Sequence, residues 1–410
     1  MSNNKNITNN MNNLNNLNIR PFHVNVPEGE LIELRTRINA TRWPEKETVT
    51  DQMQGVQLGT IQKLAHYWAT QHDWRKVEAK LNSYPQFITA IDGLDIHFIH
   101  VRSRHENALP LIVTHGWPGS IIEQLKIIEP LVDPTAHDGS AADAFDVVIP
   151  SRPGNGFSGK PTTTGWDCTR IARAWDVLMK RLGYSRYVAQ GGDWGALITE
   201  QMGTLAPPGL LGIHTNLPSA VPAEVLGALA SHIPPPGLDA EERRAFDRID
   251  SFFTNGLSYA LQMAGHTHAL YGIADSPLGL ATWLLDNELW NQQLILRAFD
   301  DEPESLTRDD LLDNITLYWL TDTAISAAGL YRENKLPFFA PMGVATPVAV
   351  SVFPDETFQL PRSWAERAYP RLTHYNKASA GGHFAAWEQP KILADELRVA
   401  FQRFRDPRDC

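Results

Sequence analysis

Short, near-continuous apolar runs that alternate with helical patterns restrict the fold of this chain more than any other feature. Phe87 to Ile91, Ile96 to Val101, Leu111 to Thr114 and Phe145 to Ile149 read as strands. Ile121 to Leu131 and Cys168 to Leu182 read as helices, followed by a strand at Arg186 to Ala189, a helix at Ala196 to Thr204 and a strand at Leu211 to His214. Strands that are apolar along their whole length are covered on both faces, and intervening helices supply that cover, so a mostly parallel sheet is expected. From Pro218 to about Met342 the strand signal vanishes. Helices are expected there at Glu241 to Gln262, Leu278 to Leu289 and Asp309 to Leu320. The earlier rhythm then returns with strands at Val348 to Phe353 and Leu372 to Tyr375 and helices at Ser363 to Ala368 and Ile392 to Phe404. The expectation is an α/β core interrupted by a helical insertion.

Ahead of the core, Pro27-Glu28 opens a helix over Glu30 to Asn39, and further helices are expected over Thr60 to Asp73 and Trp74 to Asn82. The expected organisation is an asparagine-rich disordered tail over 1–19, a helical N-terminal region over 20–86, core over 87–217, a helical cap over 218–342 and core again over 343–410. The tail cannot bury enough apolar surface to offset its ordering entropy. It also lacks the basic and apolar regions of a secretory signal, and no later segment is a long apolar run, so a cytoplasmic protein without a membrane contact is expected. The net charge of −11, with no Lys/Arg-rich run, argues against a nucleic-acid partner. With two cysteines, Cys168 and Cys410, neither a disulfide framework nor a cysteine metal site is expected. Twelve tryptophans and sixteen phenylalanines can fill a large core and line an apolar pocket.

The strongest local signal is Gly191-Gly192-Asp193-Trp194-Gly195, between a predicted strand and a predicted helix. Small residues two before and two after the apex allow the tight turn that presents a nucleophile. The same pentapeptide could be a glycine-rich turn with Asp193 as helix N-cap. As a nucleophile, a carboxylate is already ionised at neutral pH. It attacks an alkyl carbon bearing a strained or good leaving group and becomes an ester. Water must then cleave that ester, which requires a base. Gly381-Gly382-His383-Phe384, after the last predicted strand, supplies the candidate; the other histidines have no comparable setting. Asp355 and Glu356 follow the strand Val348 to Phe353, and either could orient His383 and stabilise its imidazolium. His115-Gly116-Trp117-Pro118-Gly119-Ser120 follows another strand, where a loop of this kind supplies one oxyanion N–H and the residue after the nucleophile supplies the second. Those donors would be Trp117 and Trp194. The Gly-rich loop Arg152 to Gly159 lacks both the P-loop lysine and the dinucleotide spacing.

In this order, His115-Gly116-Trp117-Pro118-Gly119-Ser120, Gly191-Gly192-Asp193-Trp194-Gly195 and Gly381-Gly382-His383-Phe384-Ala385-Ala386 resemble the microsomal-type epoxide hydrolases, enzymes of the α/β-hydrolase fold. The similarity runs from Pro21 onward, and Thr41-Arg42-Trp43-Pro44 looks like that family's N-terminal region. The resemblance implies an enzyme that converts an apolar epoxide and water to a vicinal diol, without metal or organic cofactor, and a homodimer; the asparagine-rich tail, where the family's membrane members carry an apolar anchor, favours a soluble enzyme. Its Phe-Pro-x-acid pattern matches Phe353-Pro354-Asp355-Glu356 and favours Glu356 over Asp355. It implies two ring-opening tyrosines: Tyr259, in Ser258 to Met263, and Tyr331, in Leu330 to Asn334. After Met263 the run Ala264 to His268 departs from the family pattern, and Tyr271 competes for the Tyr259 role. A phenol suits the task, because it can donate a hydrogen bond and then a proton to the opening oxygen. The rival readings are a haloalkane dehalogenase, which shares the Asp elbow and the histidine base, and an idle binding protein of the same fold. Detoxifying and biosynthetic roles fit the residues equally.

Overall fold

The computed structural model describes residues 19–285, 289–299 and 306–405. The tail expected to be disordered therefore lies outside the described residues, apart from Ile19, as does Cys410.

Nine strands form one sheet in the order β1-β2-β3-β5-β4-β6-β7-β8-β9. They are β1 (Ile19–Phe22), β2 (Gln86–Ile91), β3 (Leu94–Val101), β4 (Leu109–Thr114), β5 (Phe145–Pro150), β6 (Tyr187–Gly191), β7 (Leu210–Thr215), β8 (Val348–Val352) and β9 (Leu372–Lys377). From β5 to β9 every pairing is parallel, and β1, β2 and β3 extend that sheet as an antiparallel edge. Every residue of β6 and β8 is buried, as strands covered by helices on both faces require. Helices Cys168–Arg181 and Trp194–Leu205 pack on one another, while Leu125–Val132 packs against Pro390–Phe401. This is the α/β-hydrolase fold with an N-terminal extension.

Strand β1 departs from the sequence reading, which assigned Ile19 to the tail. Ile19 is buried and pairs with Thr89. An edge strand of four residues gives no recognisable period on its own; the pairing with β2 defines it.

The helix expected over Glu241 to Gln262 is broken. Ala240–Ser251 ends in a π-helical turn over Phe252–Gly256, and a new helix runs over Ser258–His266. Asn255-Gly256 is the physical reason, since both residues favour turns over helix interiors. The break directs Phe252 and Leu257 into a cleft. Ile121 to Leu131 is likewise divided, into a 3₁₀ turn Ile121–Gln124 and the helix Leu125–Val132, because the Ser120 hydroxyl caps the turn at Ile122. Beyond helix Pro277–Leu285, the end expected at Leu289 falls partly on residues 286–288, outside the described residues.

Between β7 and β8 the described residues form helices and contribute no strand to the sheet. This block packs over the carboxyl ends of the parallel strands. Helix Arg308–Leu320 grips the loop after β4, where Asn314 donates to Pro118 O at 2.8 Å and Tyr318 to Gly119 O at 2.7 Å. No described helix is long and apolar enough to cross a membrane.

Candidate active site

Strands β4 and β6 are neighbours, yet the chain leaves β4 for β5 on one side and returns to β6 on the other. The loops at their carboxyl ends therefore part and leave a crevice, where open α/β sheets bind ligands. The His115–Ser120 loop enters this crevice from β4, and the turn at Asp193 enters from β6.

Asp193 has φ +53° and ψ −130°, backbone angles that a residue with a side chain seldom adopts. Holding it there costs on the order of 1–3 kcal/mol, which the surrounding packing must offset. Gly195 makes the turn possible, because a Cβ there would collide with the carbonyl oxygen of Thr114, the last residue of β4. The apex side chain thereby projects between the two strands. Its Oδ1 accepts from the Trp117 N–H at 2.7 Å, and the Trp194 N–H also donates to the carboxylate. Burial pushes the Asp193 carboxyl above its ordinary value, while His383, these two N–H groups and Arg152 act in the opposite direction.

His383 reaches the same crevice from the loop after β9. Its Nε2 lies 3.6 Å from Asp193 Oδ2, and its Nδ1 lies 2.8 Å from Glu356 Oε1. With the Nδ1–H donated to the glutamate, Nε2 carries the lone pair toward Asp193. Glu356 is buried, whereas Asp355 is exposed and takes part through its backbone. The Asp355 N–H donates to Gly381 O at 3.0 Å, and Asp355 bridges Gly382, so the acid loop and the histidine loop are joined.

Above Asp193 lies a cleft. Its walls include Leu197, Leu217, Phe252, Leu257, Phe338 and Phe339, with Asp193, His383, Tyr259 and Tyr331 as polar groups. Tyr259 stacks on Trp117 with ring centroids 5.2 Å apart. Tyr331 meets Trp194 edge-on at 4.8 Å, and the two tyrosine rings are 5.9 Å apart. Both are buried, but Tyr271 is 73% exposed and lines no part of this cleft. Mostly apolar walls with a few convergent polar groups are the usual make-up of a small-molecule site.

Two contributors went unnoticed in the sequence. Arg152, fully buried, donates from Nη2 to Gly116 O at 2.9 Å and from its backbone N–H to His115 Nε2 at 3.2 Å, fixing the β4 loop from behind. Glu123, in the 3₁₀ turn after that loop, is buried close enough to Asp193 and His383 to feel both charges. An ionisable residue inside an apolar run, here Ile121-Ile122-Glu123, was the signal for the second; Arg152 gave none beyond its glycine-rich neighbours.

Comparison with known proteins adds an independent finding. Residues 19–124 match the family model "Epoxide hydrolase N terminus", and residues 110–233 match "alpha/beta hydrolase fold". A Stigmatella aurantiaca protein provisionally named an epoxide hydrolase is 49% identical, across 94% of this chain and 86% of that protein. Epoxide hydrolase 1 of Oryctolagus cuniculus is 34% identical across 92% of this chain and 88% of its own length. The crystal structure of juvenile hormone epoxide hydrolase from Bombyx mori superposes with a TM-score of 0.81 at 29% identity, covering 94% of this chain and 95% of that one.

Proposed function

The chain belongs to the microsomal-type epoxide hydrolases, and from that premise we propose that it opens its epoxide through a covalent ester of Asp193. The observation that carries this reading is the alignment of one carboxylate with three sets of partners. Two backbone N–H groups meet Asp193, His383 Nε2 faces it at 3.6 Å, and two tyrosines converge on the apolar cleft above it.

In the first half-reaction Tyr259 and Tyr331 hold the epoxide oxygen. An Asp193 oxygen attacks a ring carbon from the side opposite the breaking C–O bond. The ring oxygen takes the bonding pair and then a proton from one tyrosine hydroxyl, giving a hydroxyalkyl ester. In the second half-reaction water attacks Asp193 Cγ and passes one proton to His383 Nε2, with Glu356 stabilising the imidazolium. The Trp117 and Trp194 N–H groups stabilise the tetrahedral oxyanion. Collapse breaks the bond between Cγ and the substrate oxygen, which takes the proton from His383. The remaining proton of the water-derived hydroxyl leaves Asp193 as carboxylate and restores the tyrosine. The apolar cleft walls suit an apolar epoxide.

A product assay tests this reading. Purified protein is incubated with an aryl epoxide, an aliphatic epoxide and a bromoalkane, with diol and bromide measured separately. Diol from an epoxide without bromide from the bromoalkane is expected. Bromide without diol would overturn it and remove the roles given to Tyr259 and Tyr331, since a departing halide needs no proton.

A further inference from the structure

A second, small cavity, with room for about one water, lies on the core side of the same two residues. It shares Asp193 and His383 with the substrate cleft, but its other walls are different. Glu123, Gln124, Gln190 and Asn216 make it polar, and no residue of the helical block between β7 and β8 contributes. Glu123 is 6% exposed. Gln124 Nε2 donates to its Oε1 at 2.7 Å, and the Gly116 N–H also reaches the carboxylate. Its Oε2 has no hydrogen-bond partner among the described residues, nor do the side-chain oxygens of Gln124 and Gln190 in the same cavity wall. Burying a carboxyl with an unpaired oxygen is costly, and here three unpaired side-chain oxygens line one polar cavity beside Asp193 and His383.

Glu200, whose Oε2 is likewise without a hydrogen-bond partner among the described residues, shows that an unpaired oxygen alone does not mark a site. Its Oε1 accepts from the Ser219 N–H and the Tyr369 hydroxyl, each at 2.8 Å, and it lines neither cavity. Glu123 instead faces the two residues that the ester mechanism uses. Its approach is also close-fitting, since a Cβ on Gly119 would overlap its Oε2.

We propose that Glu123 is a positioning residue for ester hydrolysis: it holds the attacking water against His383 from the core-side cavity and supplies the negative charge that Asp193 loses on becoming an ester. The inference rests on the covalent reading and extends it to the water's side of the reaction. Two separate cavities give substrate and water separate approaches to Asp193, one apolar and one polar. The water's lone pair is directed to Asp193 Cγ, one hydrogen to His383 Nε2 and the other to the Glu123 carboxylate. The charges agree with the order of events. Burial pushes the Glu123 carboxyl up to about 7, with the negative charge of Asp193 also raising it and His383 lowering it. Alkylation neutralises Asp193 and removes that upward push. Glu123 therefore ionises more readily at the stage when an imidazolium must form beside it.

The test compares Glu123→Gln with wild type in single-turnover experiments, following the protein–substrate ester by intact mass, and in steady state. Glutamine keeps the shape and hydrogen bonds but not the charge. Ester formation is expected at the wild-type rate, with ester decay slowed about 10-fold or more. When only the second step slows, kcat and KM fall together and kcat/KM is unchanged. A merely structural role would not produce this split, because a disturbed Asp193 also forms ester more slowly. Gln124→Met, which withdraws the donor to Glu123 Oε1, gives the same split in smaller measure and decides the matter if Glu123→Gln does not fold. Ester decay at the wild-type rate, or kcat/KM falling in step with kcat, overturns the role of Glu123. Absence of any ester in wild type would instead bring down the covalent reading beneath it.

Discussion

Asp193→Ala is expected to lower kcat/KM for epoxide hydrolysis by at least about 10⁴-fold, leaving diol formation near background. The size of the effect follows from the geometry. His383 Nε2 is directed at the Asp193 carboxylate, 3.6 Å away, and the Trp117 and Trp194 N–H groups are directed at its oxygens. With the carboxylate gone, those groups address a position where nothing reacts, and water has no activated route to a ring carbon. The fold should tolerate the change. The backbone at φ +53° is as strained for alanine as for aspartate, and a carboxyl whose burial is unfavourable is removed. Circular dichroism would check the fold alongside the assay. Turnover near the wild-type rate would mean that water opens the ring directly.

His383→Gln is expected to separate the two half-reactions. Ring opening needs the Asp193 carboxylate and the tyrosine hydroxyls but no proton acceptor at Nε2, so the variant should still consume about one equivalent of epoxide per active site. Ester hydrolysis does need that acceptor. Steady turnover after the burst should fall by about 10³-fold or more. Glutamine can still donate to Glu356, now 2.8 Å from Nδ1, which limits disturbance of the loop. Loss of the burst together with turnover would place His383 in ring opening instead.

The inner parallel strands were legible in the sequence because each is largely apolar and bounded by turn residues. The elbow was legible because Gly195 has to be glycine where the chain passes Thr114. Other features depend on contacts that no local pattern encodes. Asp355 and Glu356 are adjacent acids after one strand, and only the approach of the His383 loop separates the exposed one from the buried one. Tyr259 and Tyr271 differ in the same way, since one lies under Trp117 and the other in solvent. Strand β1 exists through its pairing with β2. The core-side cavity draws on residues from 116 to 393, and Glu123 acquires meaning only where those segments meet. The break at Asn255-Gly256 could have been read, since both residues oppose helix, but the flanking apolar period outweighed them.

If Asp193 is the nucleophile, both oxygens of the first diol come from epoxide and Asp193, and none from solvent. A single turnover in H₂¹⁸O, with enzyme in excess over epoxide, tests it. An unlabelled diol is expected, with one ¹⁸O in the peptide that contains Asp193, because water attacks Cγ and its oxygen stays on the carboxylate. A first-turnover diol carrying ¹⁸O, with an unlabelled Asp193 peptide, would contradict it.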